Sequence, residues 1–318
     1  STSVLFRPPG PHRCLCLPRP VCKGKEMATE SKGDELVREA EKTLNKFTFF
    51  SSAGKKEDAS ELFTRAGNAY KVAKMWDSCG EAFERAGALQ RELGNSHEAA
   101  TAFVEAAKAF RKVSHDRAIE ILRSTVIPEY TDSGRLSQAA KMTQEIGEMN
   151  EEDCNFAAAV EAFSEAADLH LSSDSAASAS RCLNKVALLS AQENDYERAI
   201  TTFIDMASEC AKSNLLKFNA KGHLLNAGLC MFAMGDTVRA ERAVTSEFDV
   251  IDYTFAASRE AKLLQDIMEA YNDNDVDRFT DIVFDYDQIS KLDPWRTTIM
   301  LRIKQSLANA SKEAVDLT

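Results

Sequence analysis

The chain has 318 residues, a formal net charge of −11 and 44% hydrophobic residues. Its acidic balance argues against nucleic acid as the main ligand, and no run approaches the ~18 apolar residues that a membrane span needs. Five of its seven prolines (Pro8, Pro9, Pro11, Pro18, Pro20) fall in the first twenty residues, leaving only Pro128 and Pro294 to interrupt a chain that reads as almost entirely helical.

Residues 1–26 stand apart, with five basic groups and one acidic. Leu15, Leu17 and Val21 are too sparse, and Pro18 and Pro20 too disruptive, for a secretory apolar region. Cys14, Cys16, Cys22 and His12 match no zinc-ligand spacing. This stretch is expected to be a disordered N-terminal extension, with Met27 opening the folded chain. No cysteine pair follows C-x-x-C, and Cys79, Cys154, Cys182, Cys210 and Cys230 fall singly along predicted helices. That pattern suits reduced, mostly buried thiols in a cytosolic protein.

Glu35 to Phe47 reads as a first helix, with Leu36, Ala40, Leu44 and Phe47 on one face. A loop is expected from Phe47 through Lys56, carrying Phe47, Phe49 and Phe50 ahead of Lys55 and Lys56. The rings either cover the end of the first hairpin or enter an anionic membrane surface while the lysines meet head groups. Gly54-Lys55 is not a phosphate loop, since no glycine stands five residues earlier and Lys56 replaces the Ser or Thr.

From Ala59 to Ala207 one pattern recurs every twenty residues. Ala59, Cys79, Ala99, Ile119, Ala139, Ala159, Ala179 and Ala199 start the units. Four residues on from most of them comes a large side chain: Phe63, Phe83, Phe103, Phe163, Leu183, Phe203. Small residues follow at seven and eight, as in Ala66-Gly67, Ala86-Gly87 and Ala166-Ala167. Offsets 0, 4, 7 and 8 share one helix face. A large residue opposite small ones lets neighbouring helices approach closely. Two units drift, with Leu122 and Met142 taking the large role one residue early. Gly94-Asn95-Ser96, Asp132-Ser133-Gly134, Ser172-Ser173-Asp174 and Glu193-Asn194-Asp195 read as short joints. Helices joined this closely are antiparallel neighbours, and a fixed period means stacked repeats. The fold expected is all-α: a tetratricopeptide-like array of antiparallel helical hairpins over residues 27–213, then a C-terminal helical bundle over 214–318.

The pattern slips by one residue at Ala220, Leu224, Ala227 and Gly228, and fades after Ala240. Thr245 to Ala257 reads as a packed connection. Helices follow near Ala257–Tyr271 and Val276–Tyr286, with a last one after Pro294 and Trp295. From Asp236 to Ser290 there are fourteen acidic and five basic residues, which suits a basic protein partner. Leu317 lies beyond any core the pattern assigns.

No enzyme signature is present. None of His12, His97, His115, His170 and His223 pairs with another at i,i+4, and there is no G-x-G-x-x-G or G-x-S-x-G. No cofactor is expected. One charge pattern does recur: Lys141, Arg181 and Lys221 lie forty residues apart, with Lys185 one turn from Arg181 and Arg135 and Lys217 nearby. Alternate helices of a hairpin array expose the same face, so these cations are expected to form a row. The row is either an ordinary solvated face or a surface for an anionic partner.

Several stretches resemble the α-soluble NSF attachment protein family: 66–76, Tyr130 to Arg135, Leu215 to Lys221, 286–298 and Leu301-Arg302-Ile303-Lys304. The resemblance runs from Met27 to Thr318. It implies a non-enzymatic adaptor that binds the four-helix SNARE bundle of syntaxin and synaptobrevin type left after membrane fusion. It also implies recruitment of a hexameric ATPase, N-ethylmaleimide-sensitive factor, and a cytoplasmic protein peripheral on membranes. By position, the family's SNARE-facing cations fall on Lys141, Arg181 and Lys221, and their neighbours Arg135, Lys185 and Lys217 are expected to join the same SNARE-binding surface. The ATPase-facing groups fall on Asp236, Glu269, Asp273 and Leu317, with Asn272 standing where the family has an acid. The membrane loop falls on Phe47, Phe49 and Phe50. The residue pattern taken alone also suits a tetratricopeptide-like scaffold that clasps a peptide in a groove, unrelated to SNAREs.

Overall fold

The computed structural model describes residues 26–46 and 52–316, with side chains for 32–46 and 52–309. Among these residues every regular element is helical. The array comprises α1 (Glu26–Asn45), α2 (Ser52–Ala73), α3 (Trp76–Glu92), α4 (Ser96–Phe110), α5 (His115–Ile121) and α6 (Ile127–Asp132). It continues with α7 (Leu136–Glu152), α8 (Phe156–Ser172), α9 (Ala176–Gln192), α10 (Tyr196–Lys212) and α11 (Lys217–Met234). There follow α12 (Thr237–Arg242), α13 (Phe248–Ile251), α14 (Arg259–Asn272), α15 (Val276–Ile289) and α16 (Pro294–Asp316). Through α11 these helices pack in chain order, and the all-α hairpin array expected from the sequence is borne out.

Two boundaries differ from expectation. The first helix begins upstream, at Glu26, and ends at Asn45. Ser52 to Lys56 are not loop but the first turns of α2, because a lone Gly54 among helix formers does not break a helix. Lys56 pairs with Glu92 at 2.9 Å, and Lys55 donates to the carbonyl of Lys46. Phe47, Phe49, Phe50, residues 1–25 and Leu317 lie outside the described residues.

The repeat register has a direct packing cause. A Cβ on Gly67 would stand 2.7 Å from the ring of Phe83, one on Gly87 would stand 3.0 Å from Phe103, and one on Gly147 would stand 2.9 Å from Phe163. Each ring at offset 4 therefore sits on the glycine at offset 8 of the preceding helix. Phe63, Phe163 and Phe203 are fully buried. The joints repeat as well. The backbone N–H of Met75, Asn95, Arg135, Asn155, Ser175 and Asp195 each donates to the carbonyl five residues back, at 2.7–3.0 Å. The residue just before each donor has positive φ: Lys74, Gly94, Gly134, Cys154, Asp174 and Asn194. This is the Schellman closure, in which a left-handed residue lets the last carbonyls find donors.

The drift at Leu122 also has a structural reason. Between α5 and α6 the helix widens into a π turn, Leu122–Val126. Up to its first residue the buried positions, Ala118 and Leu122, come one position early; from its last residue on, Val126 and Tyr130 are back in phase. The extra residue of the wider turn absorbs the slip. A second π turn, Ala243–Glu247, joins α12 to α13 in the segment where the pattern fades. There Phe248 and Phe255 are fully buried, edge to face at 5.3 Å, while Val250 and Tyr253 stay exposed.

One apolar cluster runs from Ala187 to Leu307, so the C-terminal helices are built onto the last hairpin of the array. α14 and α16 both pack against α11. Two histidines, buried His170 and half-buried His223, are held from protonation. His170, near the end of α8, is 3% exposed, and neither ring nitrogen has a hydrogen-bond partner. Burial first, then the charges of Arg181 and Lys141, hold its pKa below the ordinary value. Burial and Arg296 do the same to His223.

Two outcomes are expected. Gly67→Val forces the Phe83 ring aside and lowers stability by about 1–3 kcal/mol in a denaturant melt. Gly94→Ala meets no neighbour within 4 Å and carries only the penalty of its φ of +81°, roughly 1–2 kcal/mol. If Gly67→Val melts like wild type, the ring-on-glycine contact does not set the helix spacing. The histidines make stability fall as pH drops below the ordinary histidine pKa of about 6.5, because the unfolded chain then binds protons that buried His170 and half-buried His223 resist. His170→Leu keeps the shape and removes the unpartnered nitrogens, so it flattens melting temperature against pH between 7 and 5, leaving the share of His223. An unchanged slope removes His170 from the account.

Candidate functional site

The cations expected to form a row are carried by α7, α9 and α11, the helices of one face of the array. Lys141 on α7 and Arg181 on α9 are exposed, and both charges act on the intervening His170 of α8. Lys221, on α11, is half-buried. Among the described residues Lys141, Arg181 and Lys221 take part in no ion pair within 4 Å; Arg181 Nη2 donates to Ser178 Oγ at 2.9 Å. These charges are therefore available to a partner.

Of the remaining predicted cations, Lys185 and Arg135 are engaged by other side chains. Lys185 Nζ pairs with Glu151 of α7 at 2.7 Å. Arg135 Nη1 donates to His97 Nδ1 of α4 at 2.6 Å, which draws it toward the start of the array. Lys217 Nζ lies over the Phe218 ring, 5.5 Å from its centroid. Ties between a helix and its second neighbour recur elsewhere: Lys71–Glu105 at 2.6 Å, Arg123–Glu165 at 3.7 Å and Arg239–Glu197 at 2.8 Å. Pairs this exposed are worth about 0–1 kcal/mol each, so they orient side chains more than they hold the fold.

A groove of about 800 Å³ opens beside the row. Arg181 and Lys185 line it with Phe218, Trp295 and Arg296, and Glu148, Glu260 and Asp293 give it acidic groups as well. At its edge, the joint between α10 and α11 and the first turn of α11 expose a short apolar strip. Leu215 is 85% exposed, Phe218 75% and Leu216 45%. Three large apolar side chains left in water within four residues mark a contact surface more strongly than single exposed residues do. The available signal was the absence of any repeat-phase role for Leu215 and Phe218.

The acidic residues expected at the C-terminal end have partners within the chain. Asp236 is the N-cap of α12, its Oδ1 accepting from Arg239 N at 2.9 Å. Asp273 accepts from Arg278 Nη1 at 2.8 Å, and Glu269 is bonded to the same guanidinium. Arg278 therefore neutralises part of the acidic patch. By contrast Asp277, Asp281 and Asp285 on the solvent face of α15 are exposed and make no ion pair among the described residues, with Phe284 61% exposed beside them. The carboxylates of Asp277, Asp281 and Asp285 are the less encumbered part of the acidic end.

No helix among the described residues is long and apolar enough to cross a membrane. Comparison with known proteins is consistent across most of the chain. A family model described as "Soluble NSF attachment protein, SNAP" matches residues 31–308. An α-soluble NSF attachment protein of Vitis vinifera is 36% identical over 90% of this chain and 98% of its own length. Its counterpart in Mus musculus is 38% identical over 86% of this chain and 93% of its own. A probable vesicular-fusion protein sec17 homolog of Schizosaccharomyces pombe is 35% identical over 88% and 98%. On the strength of this near full-length match, the chain belongs to the soluble NSF attachment protein family.

Proposed function

We propose that this protein binds the post-fusion SNARE bundle along the face formed by α7, α9 and α11, and presents its acidic C-terminal end to the hexameric ATPase that takes the bundle apart. Members of the family are adaptors for SNARE disassembly in vesicle transport and not enzymes. The observation that carries the finer reading is the set of uncommitted cations on alternate helices, Lys141, Arg181 and Lys221, beside the exposed Leu215 and Phe218. A four-helix bundle with acidic flanks offers both a long negative stripe and apolar shoulders. Charge complementarity orients such a contact and speeds encounter, while desolvated apolar side chains slow release.

On this reading Lys141, Arg181, Lys221, Lys217, Leu215 and Phe218 make the main contact, and Lys185 and Arg135 contribute less because Glu151 and His97 already hold them. Asp236, Glu269 and Asp273 face the ATPase, with Asp277, Asp281 and Asp285 extending that surface. Phe47, Phe49 and Phe50 touch an anionic membrane and Leu317 stimulates the ATPase; these two roles rest on the family resemblance. The protein then works in the cytoplasm, on the surface of secretory and endocytic membranes.

The test is the double charge reversal Lys141→Glu with Arg181→Glu. It weakens binding to a purified SNARE bundle by about 1–3 kcal/mol per site, less at high salt, and leaves the thermal melt near wild type because both side chains are exposed. Lys185→Ala has a smaller effect. Wild-type affinity of the double variant at low salt contradicts the proposed contact. Selective capture of a short extended peptide in the groove beside Trp295 would favour the scaffold reading instead.

A further inference from the structure

The last helix is fastened to the array by side-chain hydrogen bonds that span 106 to 111 residues of chain. Trp295 Nε1 donates to the carbonyl of Leu188 at 3.0 Å, and its ring stands edge-on to Phe203 at 5.6 Å. Arg302 caps the C-terminal end of α9. Its Nη1 donates to the carbonyl of Ala191 at 2.7 Å and to Asn194 Oδ1 and Tyr196 OH, each at 3.1 Å. Its Nη2 donates to the carbonyl of Gln192 at 3.0 Å. The last carbonyls of a helix lack intrahelical donors, and a cation there also meets the negative end of the helix dipole. The flat, five-donor guanidinium satisfies several such acceptors at once, which an ammonium does not. Between these anchors Arg296 Nε donates to Oδ1 of Asn226, a buried amide on α11, at 2.9 Å.

Burial of Ile299, Met300, Ile303 and Leu307 already attaches α16 to the core. Apolar contacts of that kind tolerate sliding and rotation, since they are non-directional. The three polar anchors remove that freedom. They reach the helices that carry Arg181, Lys185, Lys217 and Lys221. From Arg302 the helix runs on to Asp316, a further ~21 Å at 1.5 Å per residue.

We infer that Trp295, Arg296 and Arg302 are positioning residues that lock α16 to α9 and α11, so that the SNARE-facing cations and the C-terminal end of the molecule move as one body. The inference rests on the proposed function for its meaning, but its geometric part stands alone. A load applied at the C-terminal end passes through the clasp to the helices that carry the row. Without the clasp, binding at each end persists and the coupling between them is lost.

The test uses the full chain with Trp295→Phe and Arg302→Met, which remove the donors and keep apolar bulk. Fluorophores on unnatural residues at Ala177 of α9 and Gln305 of α16 report the distance between the two helices in the free protein. The expected result is a broadened distance distribution. SNARE-bundle affinity and ATPase recruitment stay within about twofold of wild type, while disassembly of a fluorescent SNARE complex slows by roughly tenfold. Arg302→Lys, which keeps one charged donor, restores part of the rate. If the double variant fails to fold, Trp295→Phe alone carries the measurement. An unchanged distance distribution overturns the clasp, and a broadened distribution with wild-type disassembly overturns the coupling. If wild type itself does not bind a SNARE bundle, the proposed function falls, and the distance measurement still decides the clasp.

Discussion

A phenylalanine ring pressed onto a glycine of the preceding helix sets the spacing of this molecule. Phe83 on Gly67, Phe103 on Gly87 and Phe163 on Gly147 repeat one contact at a fixed step. The contact works only if each helix arrives at the same height and rotation, and the Schellman joints provide that. Each joint consumes three residues or fewer and turns the chain at a single left-handed residue. Full burial of each ring is worth about 1.5–3 kcal/mol, so the register is held by many modest terms and not by one keystone. Where the sequence slips out of step, a π turn takes up the extra residue and lets the next helix recover its phase.

The surface inherits this phase. Because the chain alternates between the two sides of the array, a cation repeated every forty residues falls on alternate helices, as Lys141, Arg181 and Lys221 do. Pairs between second neighbours engage Lys71, Arg123, Lys185 and Arg239, while among the described residues these three take part in no ion pair. Their effect reaches inward, since Arg181 and Lys141 add to burial in holding the pKa of His170 below the ordinary value. At the far end the acids are only partly free, with Arg278 holding Glu269 and Asp273 and leaving the outer face of α15 the more negative.

Much of this was legible in the residues. The step of twenty, with large residues at offset 4 and small ones at 8, encodes the packing itself, so the pairing of the array's helices and the placing of Lys141, Arg181 and Lys221 on alternate helices follow from it. Less legible were the joints at Lys74 and Cys154, where a residue other than glycine takes positive φ. The hydrogen bonds and packing on either side impose that conformation, and local preference gives no sign of it. Start and stop positions also escaped, as at Ser52, where serine and glycine suggested loop. Exposure of Leu215 and Phe218 was hidden because an apolar residue in a helical chain is normally core. Pairing of Arg278 with two acids, and capture of the α9 end by Arg302 over a hundred residues away, depend on tertiary geometry that no periodicity carries. The role of Trp295 and Arg296 becomes clear only once α16 is seen lying against α9 and α11.

The most direct measurement is site-specific photocrosslinking to an assembled SNARE bundle. A photoreactive residue is placed at Lys141, at Arg181 or at Phe218, and, as a comparison, at Arg123, which pairs with Glu165 of α8. The account predicts efficient crosslinks to the bundle from Lys141, Arg181 and Phe218, diminishing with salt for the two cation positions, and little from Arg123. Crosslinking that is equal from all four positions, or strongest from Arg123, would contradict the claim that the repeat phase builds the binding face.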